Sequence, residues 1–167
     1  MLTCMSAHDR VLDAAAALAA EHRPLPSLDE IARRAGVSKG GLLHHFPDRR
    51  AITDALVRRA LAETRTELER AAVTGDQVRV WLELSAPRED VLGVAAAVLA
   101  AGVGDLPAEL AEFSRWVEQL LEQAVGDPVV ARVVRLTGDG LFSDSISGTP
   151  PSAELVDELV AHFGGRA

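Results

Sequence analysis

The sequence predicts an all-α protein of about nine helices, and three observations predict it. Apolar residues recur at the 3.6-residue helical spacing in nearly every segment, whereas strand alternation is nowhere convincing. Proline and glycine cut the chain into pieces of about 8 to 22 residues, which are ordinary helix lengths. Only 4% of residues are aromatic and none is tyrosine, which puts a sandwich or barrel at a disadvantage. With 167 residues, 48% of them hydrophobic, the chain can bury a sizeable core.

The elements follow in order. Val11, Leu12, Ala15, Leu18 and Ala19 make one face of a first helix, which stops before Pro24 and Pro26. Ser27 opens a second helix with a capping box. Its hydroxyl can accept from the N–H of Glu30, whose carboxylate can reach back to the N–H of Ser27. Leu28, Ile31, Ala32 and Ala35 then point inward, Arg33 and Arg34 outward, and Gly36 is placed to end the helix in the left-handed conformation. Ser38 caps a third helix from about Lys39 to Phe46, Val37 packs on Leu42 as a hydrophobic staple, and Pro47 closes it. Asp48 caps a long fourth helix over 48–70, striped by Ile52, Leu56, Val57, Ala60, Leu61 and Leu68. Further helices are expected at 75–85, 88–103, 107–125, 128–142 and 152–163. Asp127 caps the one at 128–142, with Pro128 at its first position. The segment 143–151 reads as a loop. No repeat period emerges. The domains expected are 1–50, with 48–70 as a connecting helix, and 71–167.

Cys4 is the single cysteine, so no internal disulfide forms, and neither a signal peptide nor a run of 18 apolar residues is present. The expectation is a cytoplasmic protein with no membrane contact, the run 91–104 being a buried helix. A net charge of -8 argues at first against nucleic acid. Divided, the charge is asymmetric: residues 1–70 carry +1 and residues 71–167 carry -9. Between Arg33 and Arg59, seven cations (Arg33, Arg34, Lys39, Arg49, Arg50, Arg58 and Arg59) face only Asp48 and Asp54, a local excess of +5. A solvated helix surface and a phosphate-binding patch both fit that excess.

A helix, a tight glycine turn and a second short helix make a helix-turn-helix, whose second member can lie in the DNA major groove. The run from Ser27 to Pro47, with Ile-Ala-x-x-Ala-Gly-Val-Ser-Lys-Gly at Ile31 to Gly40 and Leu-x-His-His-Phe at Leu42 to Phe46, resembles the DNA-binding signature of the tetracycline-repressor (TetR) family of transcriptional regulators. Val-Leu-Asp-Ala-Ala at Val11 to Ala15 matches as well, and the resemblance covers about residues 8–65. It implies a DNA-binding surface made of Ser27, Arg34, Val37, Ser38, Lys39, Gly40, Gly41, Leu42, Leu43, His44, His45 and Phe46.

Lys39, the only lysine of the sequence, stands at the first turn of the third helix, where a flexible ammonium and free helix N–H groups can meet a phosphate. Gly40 and Gly41 remove side chains where backbone must approach the sugar-phosphate wall, at about 1 kcal/mol each relative to Ala. His44 and His45 diverge by about 100 degrees around the helix and have no ligand partner at suitable spacing, so no metal is expected. In the resembled family their counterparts face phosphates or the fourth helix. Phe46 wedges the third helix against the first. Two departures stand out: Gly41 where the family often has Thr, and Leu43 where it often has Tyr. They remove a hydroxyl contact and a phenolic contact, and they support an alternative reading, a helical protein-interaction adaptor that has lost operator recognition.

The resemblance further implies that the C-terminal helices bind a small effector and form a homodimer through the last two long helices. Five of the six aromatics follow residue 71. Trp81, Phe113, Trp116 and Phe142 are candidate lining residues of an apolar pocket, or equally the filling of an Ala-rich core. Val130, Val133, Val134, Thr137 and Leu141, with Leu155, Leu159, Val160 and Phe163, are the two stripes expected at the dimer interface. At about 97 residues this domain is short for the family. No nucleophile, base and orienting acid appear at motif spacing, so no enzyme and no cofactor are expected. The function expected is a dimeric repressor released from a palindromic double-stranded DNA operator by a small apolar effector of unknown identity.

Overall fold

The computed structural model describes residues 5–21, 27–86 and 108–164; the helix expected at 88–103, the apolar run 91–104 and Cys4 lie outside the described residues. Among the described residues there are eight helices and no strand. They are α1 (Ala7–Glu21), α2 (Leu28–Ala35), α3 (Lys39–His45), α4 (Arg49–Thr74), α5 (Gln77–Ser85), α6 (Ala108–Val125), α7 (Pro128–Ser147) and α8 (Ala153–Gly164). None of them is long and apolar enough to cross a membrane. The described residues divide into two compact units, 5–59 and 60–86 with 108–164.

In the first unit α1 packs on α2 and α3, and α2 on α3. Its core is small and aliphatic: Val11, Leu12, Ala15 and Leu18 of α1 meet Ile31, Ala32 and Ala35 of α2, Leu42 of α3, Ile52 and Leu56 of α4, and one aromatic, Phe46. Side chains terminate the helices. The Ser27 capping box is formed as expected, Ser38 accepts from the N–H of Gly41 at 3.0 Å, and Asp48 accepts from the N–H of Ala51 at 2.8 Å. At the other end of α2, Gly36 has φ 66, a left-handed value that only glycine takes freely. Ser6, not foreseen, caps α1 by accepting from the N–H of Asp9 and donating to its carboxylate.

In the second unit α5 is central, packing on α6, α7 and α8, while α6 packs on α7. Leu68 of α4, Val78, Trp81 and Leu82 of α5, Phe113, Val117 and Leu121 of α6, Ala131, Val134 and Leu141 of α7, and Val156 and Val160 of α8 form its core. Asp127 caps α7 by accepting from the N–H groups of Val129 and Val130, with Pro128 at the first position.

Two boundaries must be corrected, the first being that of α4, which was expected to end at 70 and runs to Thr74. The loop expected over 143–151 is helical as far as Ser147, so α7 runs five residues beyond 142. Serine and aspartate disfavour helix because their side chains compete for backbone, but here Ser145 and Ser147 turn their hydroxyls back onto the carbonyls of Leu141 and Ser143 at 2.9 Å. Ser145 is also buried, so tertiary packing outweighs propensity. The stop comes at Gly148, left-handed at φ 89.

Candidate nucleic-acid interface

The turn between α2 and α3 spans only Gly36 to Ser38, and its geometry is set from both sides. The N–H groups of Gly36 and Val37 close the end of α2 on the carbonyls of Arg33 and Ala32, at 3.3 and 3.1 Å. Arg10 of α1 donates to the carbonyl of Ala35 at 3.4 Å, a tie that the sequence did not reveal. Beyond the turn, Leu42 and Phe46 are buried in the core and Val37 packs against it. Leu42 and Phe46 therefore anchor α3 from beneath, Phe46 as the wedge expected of it, which removes both from the contact surface that the resemblance implies.

The face that remains carries Lys39, Gly40, Leu43, His44 and His45, all exposed, with Ser38 at its start. Gly40 has open space where a Cβ would stand. Gly41 is different: a Cβ there would lie 3.2 Å from Ser38 Oγ, so its missing side chain also leaves room for the capping hydroxyl. Leu43, 39% exposed, is an apolar group on an otherwise polar face. The hydroxyls of Ser27 and Ser38 are engaged as caps. Arg34 is exposed and bonded to Glu21 at 2.8 Å.

Two neighbours of this face carry no sequence motif. Asp29 of α2 accepts from Lys39 Nζ at 3.0 Å. His8 of α1 stacks against Phe46 with ring centroids 4.8 Å apart and meets His45 edge-on at 6.1 Å; His44 and His45 are 5.3 Å apart. Among the described residues, no group of three or more His, Cys, Asp and Glu is placed to hold a metal ion.

In the second unit Trp81 and Phe113 are buried and Trp116 partly so, with Phe113 and Trp116 ring centroids 5.6 Å apart. The guanidinium of Arg65 lies over Trp116, 4.3 Å from the ring centroid. Trp81 donates its indole N–H to the carbonyl of Val134 at 3.2 Å. Gly138 makes that approach possible: a Cβ there would overlap the indole nitrogen of Trp81 and lie 2.6 Å from Ser85 Oγ. Phe142 does not join these rings; it is 37% exposed, while Leu141 beside it turns inward. An open cleft of about 370 Å³ lies instead between the α4–α5 turn, α5, the end of α6 and α8, lined by Val78, Arg79, Val125, Val160 and Phe163 among others.

The stripes expected at a dimer interface also divide. Val134, Leu141 and Val160 are buried in the second core and cannot meet a partner, because helix phase turns them towards α5. Val133 and Leu155 are exposed, and Val130, Thr137, Leu159 and Phe163 are partly buried. Val129, 70% exposed, and Leu136, not foreseen, join Val133 and Gly140 at the i, i+4, i+7 and i+11 positions of one outer face of α7.

The family model described as bacterial regulatory proteins, tetR family, matches residues 11–56, and that of the tetracyclin repressor-like C-terminal domain matches residues 75–163. No curated protein matches the chain. Among solved structures, a TetR family member from Streptomyces coelicolor A3 is 22% identical, with TM-score 0.69 over 95% of this chain and 98% of its own. A second, solved to explain the control of antibiotic production by a bacterial hormone, is 19% identical, with TM-score 0.69 over 98% of this chain and 96% of its own.

Proposed function

The chain belongs to the TetR family of bacterial regulators, DNA-binding transcriptional regulators with a ligand-binding C-terminal domain, and on that premise we propose that it is a homodimeric repressor released from a palindromic operator by a small effector. The observation that carries the reading is α3, a short helix anchored by Leu42 and Phe46 that presents Lys39, Gly40, His44 and His45 outward. The first unit is the DNA-binding domain and the second the effector and dimerisation domain. Lys39 and the N–H groups of the first turn of α3 meet phosphates, and Gly40 lets the backbone approach. Two copies set their recognition helices about 34–36 Å apart, one helical turn of DNA. The outer face of α7 with Val129, Val133 and Leu136, together with Leu155 of α8, is the surface through which they pair. The effector enters by the open cleft beside Val78, Arg79 and Phe163 and reaches Trp81, Phe113 and Trp116 only where it parts the helices that hold these rings packed, which favours the state with lower DNA affinity.

Exposed Leu43 favours the adaptor reading, in which the same face docks on protein. Footprinting on DNA flanking the gene, repeated across salt, separates the two. The repressor protects a palindrome and loses affinity steeply as salt rises, and Lys39→Ala weakens it. No protected site and no salt dependence would sink the DNA reading.

A further inference from the structure

The sole lysine of the chain is already held by an anion. Lys39 Nζ lies 3.0 Å from Asp29 Oδ2, and both side chains are more than half exposed. Lys39 is the first residue of α3 and Asp29 the second of α2, so the carboxylate reaches across the helix-turn-helix to the start of the recognition helix. An ammonium 3.0 Å from an anionic oxygen is in the arrangement it would adopt on a DNA phosphate. Because the pair is open to water it is weak, and its partner can be exchanged without stranding a buried charge.

Resting on the reading that α3 faces DNA, we infer that Asp29 is an internal competitor for the phosphate: DNA binding exchanges the Asp29 carboxylate for a phosphate oxygen at Lys39 Nζ, and Asp29 thereby sets how tightly the protein holds DNA of any sequence. Lys39 contributes to affinity only the difference between its phosphate and carboxylate contacts. After the exchange Asp29 remains beside the backbone as a repelling charge. Its influence is independent of base sequence, because neither partner reads a base edge.

The test measures binding of the full chain to a fluorescein-labelled duplex of mixed sequence by fluorescence anisotropy across a salt series. Asp29→Asn is expected to tighten binding at low salt about 1.5- to 5-fold for each copy engaged, the range spanned by one exposed ion pair, and so about 2- to 25-fold for a dimer bound through both. In a Lys39→Ala background the same substitution is expected to give at most half that gain. Asp29→Ser, a second neutral side chain near the start of α2, gives the same pattern, with circular dichroism melts confirming that each variant is folded. Unchanged binding by both variants, or a gain as large without Lys39 as with it, overturns the inference, since Asp29 would then act through net charge alone. If the wild type itself shows no salt-sensitive binding, the DNA reading falls and this inference with it; a wild type that binds normally beside unresponsive Asp29 variants overturns the inference only.

Discussion

In the first unit α2 and α3 are eight and seven residues long, too short to persist by themselves, and each is fixed at its ends. Ser27, Gly36 and Ser38 satisfy backbone groups within a few residues of their own position. In the second unit α7 is 20 residues long, and its seat is fixed at its middle, where absence of a side chain at Gly138 admits the ring of Trp81. The hydrogen bond made there joins residues 53 apart. The first arrangement is local chemistry repeated; the second is a single fit between distant residues. The difference suits the tasks proposed for them: a helix that reads DNA needs a fixed presentation, whereas a ligand domain is defined by the space between its helices.

The sharpest way to break this comparison is Gly138→Ala. A methyl group at that position collides with Trp81 and Ser85, and overpacking of this kind costs about 1–3 kcal/mol, which lowers the melting temperature by several degrees. Both tryptophans, Trp81 and Trp116, belong to the second unit, so intrinsic fluorescence reports that unit alone. The expected outcome is an earlier fluorescence transition in thermal melts. A variant as stable as the wild type would show that the centre of α7 adapts freely.

Ser27→Ala addresses the first unit. Losing the capping box is expected to cost about 1 kcal/mol, seen in far-UV circular dichroism with the tryptophan signal unchanged. Lys39→Ala should leave both transitions in place while weakening DNA binding, and should reduce the slope of log affinity against log salt by about two for the dimer, one for each copy of α3. A stability loss comparable to that of Ser27→Ala would make Lys39 structural.

The smallest effect expected is at Asp9. Its carboxyl is held below the ordinary carboxylate value, first by the Ser6 hydroxyl and next by His8. A group whose pKa is lower in the folded state stabilises above its unfolded pKa, and that contribution disappears as pH falls through the folded value. The cap of α1 should therefore weaken only below about pH 4, and Ser6→Ala should flatten that acid limb of a melting-temperature profile.

These contrasts explain what was legible in the sequence. Ser27, Gly36, Ser38, Asp48 and Asp127 act on neighbours, so their residue types and spacing announced the helix ends before any fold was considered. The helical class and the inward set of α1 and α2 followed from periodicity. Ser143 to Ser147 misled because their composition speaks for a loop, while burial of Ser145 against distant helices decides for helix. Gly138 stands in the sequence beside Asp139 and Gly140 with nothing nearby that reports the indole above it. Asp29 was likewise invisible as a partner of Lys39: one carboxylate among 25 acidic residues has no signature until the turn brings α2 and α3 together. Phe142 and Leu141 are adjacent and both apolar, and only helix phase against α5 tells which turns inward.

That α3 carries the only lysine of the sequence has a consequence for chemical labelling. Reagents that acylate ε-amines ordinarily strike a protein at many places and blur whatever property is then measured. Here such a reagent finds one ε-amine, at the first residue of α3. Acetylation would erase that positive charge without any change of gene, and a fluorophore attached there would sit at the proposed contact surface, so that once the more acidic α-amino group of the N-terminus has been blocked at lower pH, bulk modification reports on that one side chain.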